Sequence, residues 1–225
     1  MGNKAGGQGK KDPTILTDED LKVLKLNTQY TEEEIQAWHT GFLKDCPSGK
    51  LDKKQFLNVY KKFYPEGKAD KYCNFVFKAF DINQNNTIEF TEFLLAVSIS
   101  QHGNLEQKLK MAFDIYDQNK DGEINRKDMI KIIEAMYDLA NEEDRAGDKA
   151  PAKRVDLIME RLKKDKTDVV LRTEFIQGCL RDELLRKILA PNTALLPGGQ
   201  TSTTTTTTNV PIYTTTSINE TGAAV

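Results

Sequence analysis

Twelve residues, DINQNNTIEFTE from Asp81 to Glu92, place Asp81, Asn83, Asn85, Thr87 and Glu89 at positions 1, 3, 5, 7 and 9 and Glu92 at position 12. Oxygen donors on alternate residues, closed by a carboxylate after a gap, suit a hard cation. Calcium takes about six to eight oxygens at roughly 2.3–2.6 Å, and a helix-flanked loop can supply them. The donors are side chains 1, 3 and 5, carbonyl 7, residue 9 or its water, and a two-oxygen carboxylate at 12. The window departs from that pattern at position 6, where Asn86 replaces the usual Gly. Asn enters left-handed backbone more readily than most residues, so this loop is expected to close and to bind calcium.

A second window, DQNKDGEINRKD, offers Asp117, Asn119, Asp121, the Glu123 carbonyl, Asn125 and Asp128, with Gly122 at the turn. Asp128 stands where the first window has Glu92 and is one methylene shorter. It is expected to reach a metal with one oxygen, giving a weaker, six-coordinate site that also suits magnesium's octahedral preference. Two further windows keep the frame and lose the chemistry. KDCPSGKLDKKQ opens with Lys44, has Cys46 at position 3 and ends in Gln55. KKDKTDVVLRTE keeps Asp165, Thr167 and Glu174, but it opens with Lys163 and has Asp168 at the turn and Leu171 at position 9. A cation at position 1 opposes the ion to be held, so neither window is expected to bind.

The windows begin at residues 44, 81, 117 and 163, spacings of 37, 36 and 46, which is a repeat with one insertion. Apolar residues recur at helical spacing around them, as in Ile35, Trp38, Phe42 before the first loop and Phe93, Leu94, Val97 after the second. The fold expected is all-α: four EF-hand helix–loop–helix units in two lobes. Apolar position-8 residues are expected to pair the loops as short β-ribbons, Leu51 with Ile88 and Ile124 with Val170. The boundaries expected are an N-terminal segment 1–25, a lobe 26–100 with its first loop dead and second live, and a lobe 101–190 with its third loop live and fourth degenerate. The insertion Asn141–Arg154 reads as a surface connection, and the Thr-rich tail 191–225, with no usable apolar period, reads as disordered.

With 38 % hydrophobic and 29 % charged residues in a chain of 225, the composition is that of a soluble globular protein. Lys+Arg 32 against Asp+Glu 34 gives no reason to expect nucleic acid. Cys46, Cys73 and Cys179 show no C-x-x-C spacing, which fits a reducing, cytoplasmic setting. No apolar run is long enough to span a bilayer, so membrane contact is expected to be peripheral. His39 and His102 have no paired ligands nearby, and no nucleophile–base pattern appears, so the sequence makes no case for an enzyme.

The dead loop with Cys46-Pro47-Ser48-Gly49, two live central loops, a spoiled fourth loop and the start MGN together resemble the neuronal calcium sensor family, recoverin-like branch. The stretches TQYTEEEIQAWHTGFLKDCPSG and KKFYPEG carry the resemblance, which covers about residues 1–192. It implies a calcium sensor with a myristoyl group on Gly2, held in the N-terminal lobe without calcium and released with it. The released lobe then offers a groove to a helical segment of a membrane-associated target such as a receptor kinase, cyclase, lipid kinase or channel. Gly6 departs from the Ser or Thr of the acylation pattern. Lys4, Lys10 and Lys11 could add a second membrane signal, since one myristoyl chain binds with only about 10⁴ M⁻¹. The aromatics Tyr30, Trp38, Phe42, Phe56, Tyr60, Phe63 and Phe93 are read either as ordinary core or as lining of that groove. A calcium buffer, or a constitutive regulatory subunit of an enzyme, stands as the alternative function.

Overall fold

A computed structural model describes residues 12–63, 68–165 and 168–190, apart from the side chains of residues 60, 62 and 63. Gly2, the side chains of Tyr60 and Phe63, and the tail lie outside the described residues, as does Thr167. The first half comprises α1 (Asp18–Asn27), α2 (Glu32–Asp45), β1 (Lys50–Leu51), α3 (Lys53–Phe63), α4 (Ala69–Phe80), β2 (Ile88–Glu89) and α5 (Phe90–His102). The second comprises α6 (Leu105–Tyr116), β3 (Glu123–Asn125), α7 (Arg126–Leu139), α8 (Pro151–Arg161), β4 (Val169–Leu171), α9 (Arg172–Arg181) and α10 (Glu183–Leu189). The chain is helical with two small ribbons, as the repeat implies.

Helix starts are written into the sequence. Thr31 and Glu34 form a capping box at α2, where the Glu34 carboxylate accepts the Thr31 N–H at 2.8 Å and the Thr31 hydroxyl accepts the Glu34 N–H at 3.3 Å. Thr17 with Asp20 and Asn104 with Gln107 do the same at α1 and α6. Helix α1, which the repeat pattern does not reveal, crosses the boundary at residue 25 and packs on α2 and α5.

Each ribbon is antiparallel and pairs the two loops of one half, with Leu51 opposite Ile88 and Ile124 opposite Val170. All four are buried, so a loop without a metal still contributes an apolar strap to its neighbour. Buried side chains run as one connected core from Leu24 to Ala190. Helix α4 joins the halves by packing on α6 and α7, and there the Lys68 N–H donates to the Asp138 carbonyl at 2.9 Å.

The insertion at 141–154 needs one correction. Its last four residues are the first turn of α8, because Pro151 sits at a first-turn position where its missing N–H costs nothing and its fixed φ suits a helix. The remainder is tied to α7 by Arg145, whose guanidinium bonds Asp138 at 2.8 Å.

Candidate metal centres

The second loop is organised from both ends by its carboxylates. Asp81 caps α4 and accepts the N–H groups of Asn85 at 3.0 Å and Asn86 at 2.9 Å. Asn86 takes the left-handed backbone that position 6 requires, with φ 64°, and Gln84 is also left-handed at 58°. From the far end Glu92 accepts N–H bonds from Ile82 at 3.0 Å, Asn83 at 3.1 Å and Glu89 at 3.0 Å. Position 12 therefore already lies across the mouth of the loop.

Asp81 is 5 % exposed and Glu92 7 %, and neither carboxylate has a Lys or Arg partner among the described residues. Burial pushes the Glu92 carboxyl up from its ordinary pKa, against the backbone N–H bonds of Glu89 and Asn83, and the nearby Asp81 and Glu89 add to the rise. Buried charges without a counter-ion are costly, and like charges side by side more so. A cation bound between them would offset that cost. Asn83, Asn85 and the Thr87 carbonyl provide oxygens of the type calcium takes, while Glu89 lies 3.7 Å from Lys50 and accepts from Asn85 Nδ2 at 3.1 Å.

The third loop has the same front half. Asp117, 3 % exposed, accepts the N–H groups of Asp121 at 3.1 Å and Gly122 at 2.9 Å. Its back half differs. Asp128 is held on one oxygen by Lys131 Nζ at 2.7 Å and on the other by Asn125 Nδ2 at 2.7 Å. It makes no bond across the loop, and the Gln118 N–H goes instead to the Tyr116 carbonyl at 3.1 Å. Burial raises the Asp128 pKa, but the bonds from Lys131 and Asn125 outweigh it and leave the carboxyl below its ordinary value. Lys131 is a residue that the loop pattern misses, although its i,i+3 spacing from Asp128 was available.

In the first loop Gln55 is spent on a cap: Asp52 and Gln55 exchange N–H bonds of 3.0 and 2.8 Å at the start of α3. Cys46 is buried, and burial pushes its thiol up to about 11 with Asp45 and Asp52 adding, so it offers no thiolate. Gly49 is left-handed at φ 70°, and the Pro13 backbone occupies the space a Cβ would need. In the fourth loop Glu174 is paired with Lys164 at 2.6 Å and accepts the Leu171 N–H at 2.9 Å, and Asp168 accepts the Asp165 N–H at 2.8 Å. Asp52, Asp168 and Glu174 are thus engaged in a cap, a turn and an ion pair.

The candidate groove aromatics divide. Phe42, Phe56 and Phe93 are buried, whereas Tyr30 and Trp38 are half-buried. A seam of rings joins α2 to α5: Trp38 to Phe93 at 6.1 Å between centroids, Phe42 to Phe93 at 5.2 Å, and Tyr30 to Trp38 at 6.0 Å. Phe56 packs elsewhere, on Phe77 at 5.7 Å and Phe80 at 5.9 Å. In this conformation the seam is core, not an open groove.

No three His, Cys, Asp or Glu side chains converge into a metal cluster among the described residues, and no helix there is long and apolar enough to cross a membrane. Residues 106–180 match the EF-hand domain pair family. The chain is 38 % identical over 193 residues to S-modulin of Aquarana catesbeiana, covering 84 % of this chain and 92 % of that protein. It is 35 % identical over 193 residues to recoverin of Homo sapiens, covering 84 % and 93 %, and 30 % identical over 185 residues to visinin of Gallus gallus, covering 80 % and 96 %. The ribbon-paired loops and likeness of this extent place the chain in the neuronal calcium sensor family, as a calcium-binding EF-hand sensor and not an enzyme.

Proposed function

We propose that the second loop is the primary calcium site, that the third is a weaker site shared with magnesium, and that filling them parts α2 from α5. The opened seam then receives a helical segment of a membrane-associated target, such as a receptor kinase, cyclase, lipid kinase or channel. The observation that carries this reading is the buried carboxylates of Asp81 and Glu92, which form no ion pair with a Lys or Arg side chain among the described residues. The contrast with Asp128, already satisfied by Lys131 and Asn125, supports the inequality of the two sites. The dead loops favour a sensor over a buffer, because they halve the capacity while preserving the strap residues Leu51 and Val170.

A myristoyl group on Gly2 is the proposed anchor, competing with the target helix for the apolar interior of the first lobe. Swinging such an equilibrium from 1:99 to 99:1 takes about 5.5 kcal/mol of differential binding. Two calcium ions supply it if each favours the open form by about a hundredfold. Sedimentation with anionic liposomes tests the reading. Acylated protein is expected to pellet only with calcium, Gly2→Ala to stay in the supernatant throughout, and acylated Glu92→Gln to stay there as well. Equal pelleting of the acylated protein with and without calcium would make the lipid a constant anchor and refute the switch.

A further inference from the structure

Lys120 holds position 4 of the third loop with a left-handed φ of 58°. Its ammonium does not serve its own loop. Nζ donates to the Asp81 carbonyl at 2.6 Å and lies 3.4 Å from the Ile82 carbonyl, which belong to the first two residues of the second loop. Those residues build the second site: the Asp81 carboxylate ties down the turn, and the Ile82 N–H donates to Glu92. Gln118 reaches the same way, with Nε2 3.4 Å from the Phe75 carbonyl in α4. The third loop therefore touches both the middle of α4 and the residues that follow its last turn.

A cation at a helix C-terminus is favourable in itself, because the last carbonyls of α4 carry partial negative charge. It is unfavourable to a dication entering the loop that the same residues begin. The second loop's own twelve residues contain no Lys or Arg; this charge is delivered by the neighbouring loop, 39 residues away.

We infer that Lys120 sets the calcium affinity of the second loop from the third, its charge held on Asp81 opposing metal entry and linking the two sites across the halves. The inference rests on the reading that the second loop binds calcium. By linkage, whatever displaces Lys120 when the third loop fills changes the second site's affinity, and the second site acts back on the third by the same factor. A unit charge at the start of the loop, partly screened by solvent, corresponds to an affinity change of about tenfold for a dication.

The test is calorimetric calcium titration of the full chain carrying Asp117→Asn, so that the second loop supplies the heat. Adding Glu92→Gln should remove that heat; if the parent shows no calcium heat, the second-loop reading itself fails and the inference with it. Given that heat, Lys120→Met is expected to tighten binding about tenfold at low salt, with the gain shrinking as ionic strength rises. Lys120→Arg, which keeps the charge, is expected to match the parent. Lys120 is exposed, so these variants should fold. Unchanged or weaker binding by Lys120→Met would overturn the inference, since a merely structural tether predicts loss where an opposing charge predicts gain.

Discussion

Asp128→Glu is expected to strengthen the third site by about tenfold or more, and the structure supplies the reasoning. The two oxygens of Asp128 are engaged by Lys131 and Asn125, both at 2.7 Å. The Lys131 pair is solvent-screened, with side-chain exposures of 51 % and 28 %, so it is worth about 0.5 kcal/mol. The Asn125 bond is worth about 1 kcal/mol. Turning this carboxylate towards a metal therefore forfeits about 1.5 kcal/mol, or about tenfold in affinity. A glutamate is long enough to lie across the loop as Glu92 does, where no lysine competes for it. Lys131→Met alone removes only the smaller hold and should gain about twofold. Both variants are measured by calorimetry in a Glu92→Gln background, with magnesium competition expected to fall in Asp128→Glu. An unchanged Asp128→Glu isotherm would show that reach is not limiting; a Lys131→Met gain as large as that of Asp128→Glu would show that the lysine, and not the missing methylene, weakens the site.

Phe93→Ala is expected to lose about 3–5 kcal/mol of stability, since the ring is 1 % exposed and its removal leaves a cavity against Trp38 and Phe42. Urea unfolding followed by Trp38 emission measures it, and an unmoved midpoint would mean that the seam is not core. The thiols of Cys46, Cys73 and Cys179 are buried, and burial raises them to about 11, 12 and 12. At pH 8 each is expected to resist a disulfide reagent in the native protein and to react at once in denaturant, thiolate being the reacting species; prompt native reaction would place a thiol at the surface.

Much of this architecture is local and therefore legible in the sequence. The capping boxes Thr31–Glu34 and Asn104–Gln107 need only a three-residue spacing, and the ribbon pairs follow from the apolar position 8 of each loop. The left-handed Asn86 follows from the frame of the loop alone. What eluded the sequence depends on distant approach. The bond from Lys120 to Asp81 joins residues that no motif relates, and the Pro13 backbone against Gly49 joins a segment before α1 to a loop after α2. Helical periodicity places Phe42 and Phe93 on buried faces, but it cannot distinguish a permanent core from a seam that opens. The insertion is shorter than its Gly, Pro and charged residues imply, because Pro151 starts a helix.

The central claim is that the buried Asp81 and Glu92 carboxylates require a divalent cation, and that meeting the requirement moves the seam holding the single tryptophan. The most direct measurement is equilibrium calcium binding with Trp38 emission read on the same samples. The account predicts two ions for the unsubstituted chain, one for Glu92→Gln, and loss in that variant of most of the calcium-dependent change in Trp38 emission. Two ions still bound by Glu92→Gln, or an undiminished Trp38 response, would contradict it.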